Sequence, residues 1–132
     1  MKQRLGLISI VVADYDEAIS FYCDVLGFEL IEDSRMSEVK RWVVVRPMGN
    51  GSCSLLLAKA ANVHQQSRVG DQTGGRVFLF LYTDDIDRDL KNLLAHQVEI
   101  VRPITDEIYG RVLVFADLYG NLWDLIETKE IR

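Results

Sequence analysis

Few side chains in this sequence can do chemistry, and they are scattered. The histidines are His64 and His96, and the cysteines are Cys23 and Cys53. Two thiols cannot build a Cys-rich zinc site, and the pair does not look like a secreted disulfide framework. Both cysteines read as small buried hydrophobic side chains, and both histidines as surface residues. The sequence has no G-x-S-x-G elbow, no GxxxxGK[ST] phosphate loop and no H-E-x-x-H helix. One carboxylate stands apart. Asp124 interrupts the apolar run Leu122–Ile126, where a charge is costly unless paired or hydrated. Three roles fit it: a general base with a raised pKa, an anchor for a cationic group, or half of a structural ion pair with Arg111.

Bulk composition narrows the classes further. The chain has 132 residues, which suits one domain at roughly 100–200 residues each. Apolar residues make up 48% and charged residues 27%, near the globular average. A chain of this size buries about two-thirds of its unfolded surface and needs no disulfide staple. With 15 Lys+Arg against 20 Asp+Glu, the formal charge is −5. Nucleic acid is therefore not expected as a partner, because phosphate binding draws on clustered Lys and Arg. Basic Met1-Lys2-Gln3-Arg4 before apolar Leu5–Ala13 mimics a signal peptide, but no A-x-A-like site follows and an acidic run begins at Asp14. The apolar run is also far short of the ~20 residues that span a bilayer. No membrane partner is expected, and the expected location is cytoplasmic with reduced thiols.

The elements that must position Asp124 are written twice. Leu5–Val12 reads as a buried strand. Asp14 caps the helix that follows, with Glu17 at capping-box spacing. Ala18, Ile19, Tyr22, Val25 and Leu26 recur at helical spacing, and Gly27 suits the left-handed end. Strands are expected over Phe28–Glu32, Val39–Arg46 and Cys53–Lys59, with Met48–Gly51 as a turn. Ala60–Gly75 reads as a long polar linker. The order then repeats: a strand over Arg76–Tyr82, a helix capped by Asp85, and strands over Val98–Arg102, Arg111–Ala116 and Leu122–Glu127. Asp85 follows Asp14 by 71 residues, Val98 follows Phe28 by 70, and Gly120-Asn121 follows Gly49-Asn50 by 71. A nearly constant offset at three places marks an internal duplication.

Two segments carry a resemblance to a known family. They are Val12–Tyr22 with Leu26-Gly27-Phe28, and Asp117–Glu127. On these the chain resembles the vicinal oxygen chelate superfamily, which includes glyoxalase I, extradiol dioxygenases, fosfomycin-resistance transferases and bleomycin-resistance proteins. The resemblance implies an α+β fold of two βαβββ modules in a cupped, mostly antiparallel sheet, with helices on the convex side. It implies a single domain over 1–132, with module one at 1–60, a linker at 61–75 and module two at 76–127. Metal-dependent members place ligands on the first and last strands of each module. Carried over, those positions are Leu7, Leu55, Phe78 and Asp124. Leucine and phenylalanine offer no donor atom, so no metal and no cofactor are expected.

Strand alternation sorts the faces. Leu7, Ser9 and Val11 share one face, opposite Ile8, Ile10 and Val12. Phe78, Phe80 and Tyr82 share another, opposite Val77, Leu79 and Leu81. The expected concave face is apolar and aromatic, with Ser9, Tyr82 and Asp124 as polar points, and suits an organic ligand with a planar or hydrophobic body. Trp42 can stack on a ring, while Arg41 and its counterpart Arg111 can meet an anion. The expected ligand-binding set is Leu7, Ser9, Trp42, Leu55, Phe78, Phe80, Tyr82, Arg111 and Asp124. The expected protein is a metal-free binder of a small, aromatic or drug-like molecule, resembling the bleomycin-resistance branch and acting as a homodimer. The alternative is a superfamily enzyme that uses Asp124 as acid/base or as a residual metal ligand.

Overall fold

The computed structural model describes residues 1–49 and 51–129. The chain divides between Val69 and Gly70 into two compact units with matching element order. Module one runs β1 (Leu7–Val12), α1 (Tyr15–Ile19), a π-helical stretch (Ser20–Val25), β2 (Glu29–Arg35), β3 (Arg41–Arg46), β4 (Ser54–Lys59) and α2 (Val63–Gln66). Module two runs β5 (Val77–Tyr82), α3 (Ile86–Ala95), β6 (Ile100–Glu107), β7 (Gly110–Ala116) and β8 (Leu122–Thr128). Each module builds one open, four-stranded mixed sheet, ordered β1-β4-β3-β2 and β5-β8-β7-β6. The first and last strands of a module pair in parallel, and the other pairs are antiparallel. The architecture is the expected α+β duplication.

Capping and alternation explain the frame. Asp14 Oδ2 accepts from Glu17 N at 2.9 Å, and Asp85 Oδ1 from Arg88 N at 3.0 Å. Each cap satisfies one backbone donor that the first helical turn leaves free. Glu127 of β8 takes another, accepting from Ile86 N at 2.8 Å. α1 lies against β3 and β4, and α3 lies against β8. In module one the buried residues include Ile10, Val12, Val43, Val45 and Leu57 from the strands with Ala18 and Tyr22 from the helix. In module two they include Leu113, Phe115, Trp123 and Leu125 with Ile86 and Leu93. A fully buried aliphatic or aromatic side chain contributes about 1.5–3 kcal/mol. These layers therefore dominate stability.

An arginine on the third strand of each module ties it to the helix. Arg41 meets Asp16 at 3.0 Å and Asp33 at 2.8 Å, and Arg111 grips Asp87 through two bonds of 2.8 and 3.1 Å. Asp16 and Asp87 are 71 residues apart, and Arg41 and Arg111 are 70 apart. The tie obeys the same offset as the strands and caps.

The departures from expectation have local causes. The first helix widens into π geometry, with Leu26 N bonding Phe21 O at 3.0 Å, and Gly27 at φ +79° then turns the chain so that Phe28 N bonds Tyr22 O at 2.9 Å. β2 continues to Arg35 as an edge strand whose outer half is polar. β6 is shifted from Val98–Arg102 to Ile100–Glu107 and admits Pro103 because it is an edge strand. Its register slips between Arg102 and Thr105, around the residue that has no N–H to give. The expected linker is split: α2 and the residues through Val69 belong to the first unit, and Gly70 opens the second. Asn50, half of the Gly-Asn repeat, lies outside the described residues.

Candidate ligand-binding faces

Register decides which side chains share a face, because paired residues point to the same side of a sheet. In module two Phe80 pairs with Asp124, Tyr82 with Ile126, Val114 with Asp124, and Arg102 with Val114. These residues form one face. The opposite face carries Arg111, Leu113, Phe115, Trp123, Leu125 and Glu127, and it is the one covered by α3, as the Arg111–Asp87 and Glu127–Ile86 bonds show. Asp124 therefore lies on the helix-free face. Two large aromatics stand exposed beside it, Phe80 at 57% and Tyr82 at 62%, while Val112, Val114 and Ile126 on the same face are buried.

Asp124 is half-buried and makes no hydrogen bond or ion pair with another described residue. Burial pushes its carboxyl above the ordinary carboxylate value, and the Arg102 charge pulls the other way. Two of its expected roles, base and ligand anchor, need such an unpaired group. The third is overturned. Arg111 points to the helix face and is held by Asp87, so it forms no pair with Asp124 and does not belong to the helix-free face. Arg41 is held likewise by Asp16 and Asp33. Asp87 titrates below its usual value because of its bonds to Arg111.

A buried turn positions β8. Asp117 Oδ1 accepts from Tyr119 N and Asn121 N, each at 2.9 Å, and Asp117 Oδ2 accepts from Asn121 Nδ2 at 2.9 Å. Gly70, at φ +77°, presses against this turn so closely that a Cβ would stand 2.0 Å from Tyr119 O. Three residues later the chain reaches Asp124 with little freedom of register.

In module one Ser9 pairs with Leu56, Leu7 with Ser54 and Val44 with Leu56. Trp42 shares that face by alternation with Val44. Leu7 is 40% exposed, and Ser9 is exposed too. Leu55 departs from expectation: it is buried at 4% on the helix side, paired with Ile8 and Val45. Ser9 and Phe80 differ by 71, and their partners are Leu56 and Asp124. The counterpart of Asp124 is thus Leu56. The turns before β4 and β8 differ in length, which changes the local offset to 68 and moves the counterpart from Leu55 to Leu56. Phe78 sits where the β5–β8 register slips between Val77 and Leu79.

Trp42 also lines a cavity of about 650 Å³ in module one. Its walls come from the end of β4, the β2–β3 turn and the approach to α2, and include Tyr15, Leu56 and Ala58. Lys40, Lys59 and Gln65 also line it. Sequence reasoning missed these three and Arg102, since only strand pairing and the α2 turn bring them to their places.

Of the positions that correspond to the family's metal ligands, Leu7 and Leu56 in module one and Phe78 in module two are hydrocarbon. Asp124 in module two is the one donor among these four, and a single carboxylate does not fit a divalent cation. Among the described residues no cluster of three or more His, Cys, Asp or Glu can hold a metal. His96 Nδ1 lies 3.0 Å from Asn92 O at the end of α3, and His64 sits in α2. No described helix is long and apolar enough to cross a membrane.

Known proteins share this arrangement. A protein of Shewanella frigidimarina (strain NCIMB 400), called "Uncharacterized protein", is 52% identical over 131 residues, covering 98% of this chain and 97% of its own. The crystal structure of UcmS2 superposes with a TM-score of 0.82 at 25% identity, covering 96% of this chain and 98% of its own. That of TnmS3, an antibiotic binding protein from Streptomyces sp. CB03234, gives 0.77 at 28% identity, covering 97% and 98%. The profile of the Glyoxalase/Bleomycin resistance protein/Dioxygenase superfamily matches residues 4–125. A duplicated βαβββ frame, a match across both copies and solved relatives of the same build lead to one assignment: this chain belongs to the Glyoxalase/Bleomycin resistance protein/Dioxygenase superfamily.

Proposed function

We propose that this protein binds a small organic molecule with a flat or hydrophobic body on the helix-free face of module two, without a catalytic metal. The observation that carries the reading is the exposed pair Phe80 and Tyr82 beside the unpaired carboxylate of Asp124. Exposed aromatic faces desolvate a planar ligand at little conformational cost, and one convergent polar group fixes its orientation. Phe78, at the register slip of β5, is kept in the proposed set. Leu7 and Ser9 supply the corresponding face of module one. The antibiotic-binding role of TnmS3 supports a drug-like ligand class. The reading extends to a homodimer, the commonest soluble assembly, which sedimentation as a monomer would remove.

The test is a thermal-shift screen of aromatic and drug-like compounds against the wild type and Phe80→Ala/Tyr82→Ala. The expected result is a compound that raises the wild-type melting temperature and leaves the variant unmoved. Equal shifts in both proteins would overturn the assignment of the face. Elemental analysis of the purified protein provides a second check, because stoichiometric Fe, Mn, Ni or Zn removable only by chelator would contradict metal-free binding. If a reaction accompanies binding, Asp124→Asn abolishes turnover and spares binding; loss of both marks the carboxylate as an anchor.

A further inference from the structure

We infer that the module-one cavity is a separate binding site for an aromatic organic anion. The observation is a charge imbalance around an aromatic wall. Three cations line the cavity, Lys40, Arg41 and Lys59, and no Asp or Glu lines it. Arg41 is already neutralised by Asp16 and Asp33. The ammonium groups of Lys40 and Lys59 form no ion pair with any described residue, although both side chains are exposed. They leave a positive rim that an anionic ligand would complete.

The rest of the wall suits a ring. Trp42 and Tyr15 stand among Leu56, Leu57 and Ala58. Tyr15 backs this wall: it is buried, the Arg41 guanidinium lies over its ring at 5.1 Å from the centroid, and its hydroxyl accepts from Arg41 N at 3.1 Å, so Trp42 is the ring left for stacking. Gln65 also lines the cavity, its Oε1 accepting from Ala61 N at 2.7 Å, which leaves the donating to its amide NH₂. A volume of about 650 Å³ falls within the roughly 300–1,000 Å³ common for small-molecule sites. All lining residues belong to module one, so this site does not rest on the reading of Phe80, Tyr82 and Asp124.

Two probes with the same ring system separate charge from hydrophobicity. They are 8-anilinonaphthalene-1-sulfonate and its uncharged analogue N-phenyl-1-naphthylamine. Binding is followed by probe fluorescence and by energy transfer from tryptophan, compared in wild type, Lys40→Gln/Lys59→Gln, Trp42→Phe and Phe80→Ala/Tyr82→Ala. The lysine substitutions lie on exposed side chains, and a circular dichroism melt confirms that each variant folds. The expected result is that the sulfonate binds the wild type more tightly than the neutral probe. Lys40→Gln/Lys59→Gln should weaken the sulfonate about five- to tenfold, as for two exposed charge contacts, and spare the neutral probe. Trp42→Phe should lower the energy transfer, with the other tryptophan, Trp123, supplying what remains. Sulfonate affinity unchanged by the lysine substitutions, or energy transfer unchanged by Trp42→Phe, overturns the proposal. Loss of sulfonate binding in Phe80→Ala/Tyr82→Ala with the lysine variant unaffected overturns it as well, and leaves the module-two face standing.

Discussion

In module one the register pair Ser9–Leu56 holds the place that Phe80–Asp124 holds in module two. On the other side of each sheet the correspondence is close. Leu57 and Leu125 are both buried, Asp14 and Asp85 both cap, and Arg41–Asp16 and Arg111–Asp87 both tie helix to strand. The helix side of a module is constrained by packing, where volume and shape carry kcal/mol. The helix-free side is packed in part, through Val44, Val112, Val114 and Ile126, and its more exposed positions are where the copies differ. One copy has a small hydroxyl and an aliphatic side chain there, with a lysine-rimmed cavity nearby. The other has aromatics and a lone carboxylate. Duplicated features thus report scaffold, and features present in one copy are where the proposed binding is read.

The largest effects should come from breaking the scaffold equally in both copies. Leu57→Ala and Leu125→Ala each remove a fully buried side chain and should each cost about 2–5 kcal/mol, read by urea unfolding. A large loss in one and none in the other would break the equivalence of the modules. Next in size are the caps. Asp14→Ala and Asp85→Ala should each lose about 1 kcal/mol in the same measurement.

Asp124 tests the asymmetry. Its carboxyl titrates above the ordinary value when folded, so the folded chain holds more protons than the unfolded one in the interval between the two values. Stability therefore falls as pH rises through that interval, and the penalty is fully present above it. Asp124→Asn cannot ionise. It should be somewhat more stable than the wild type near neutral pH and lose that gain in acid, below the ordinary carboxylate value. A variant less stable at neutral pH would mean that the carboxylate is structural. The smallest effect belongs to the exposed ends of the helix ties: Asp16→Ala and Asp87→Ala should barely move stability, because solvent screens such pairs.

Much of the frame was legible in the sequence because it follows short-range rules. Asp14 and Asp85 announce helix starts, Leu5–Val12 and Arg76–Tyr82 announce strands, and the offset of about 70 announces the duplication. What escaped was set by register and by distant partners. The π geometry of Ser20–Val25 leaves no compositional trace. The polar end of β2 and Pro103 in β6 hide edge strands. Leu55 and Leu56 exchange roles because two turns differ in length. Arg111 finds Asp87 on a helix 24 residues away, and no local pattern could choose that partner over Asp124. Phe80 and Tyr82 were readable together by alternation, Asp124 joined them through the positions the family resemblance implies, and the β5–β8 register pairs Phe80 with Asp124.

The most direct measurement is calorimetric titration of the best-stabilising aromatic ligand into three proteins: wild type, Ser9→Ala from module one, and Phe80→Ala/Tyr82→Ala from module two. If module two's helix-free face is the binding face, the module-two variant binds about tenfold or more weakly, as expected on losing two aromatic contacts, and the module-one variant stays within about twofold of wild type. Unchanged affinity in Phe80→Ala/Tyr82→Ala would contradict the account.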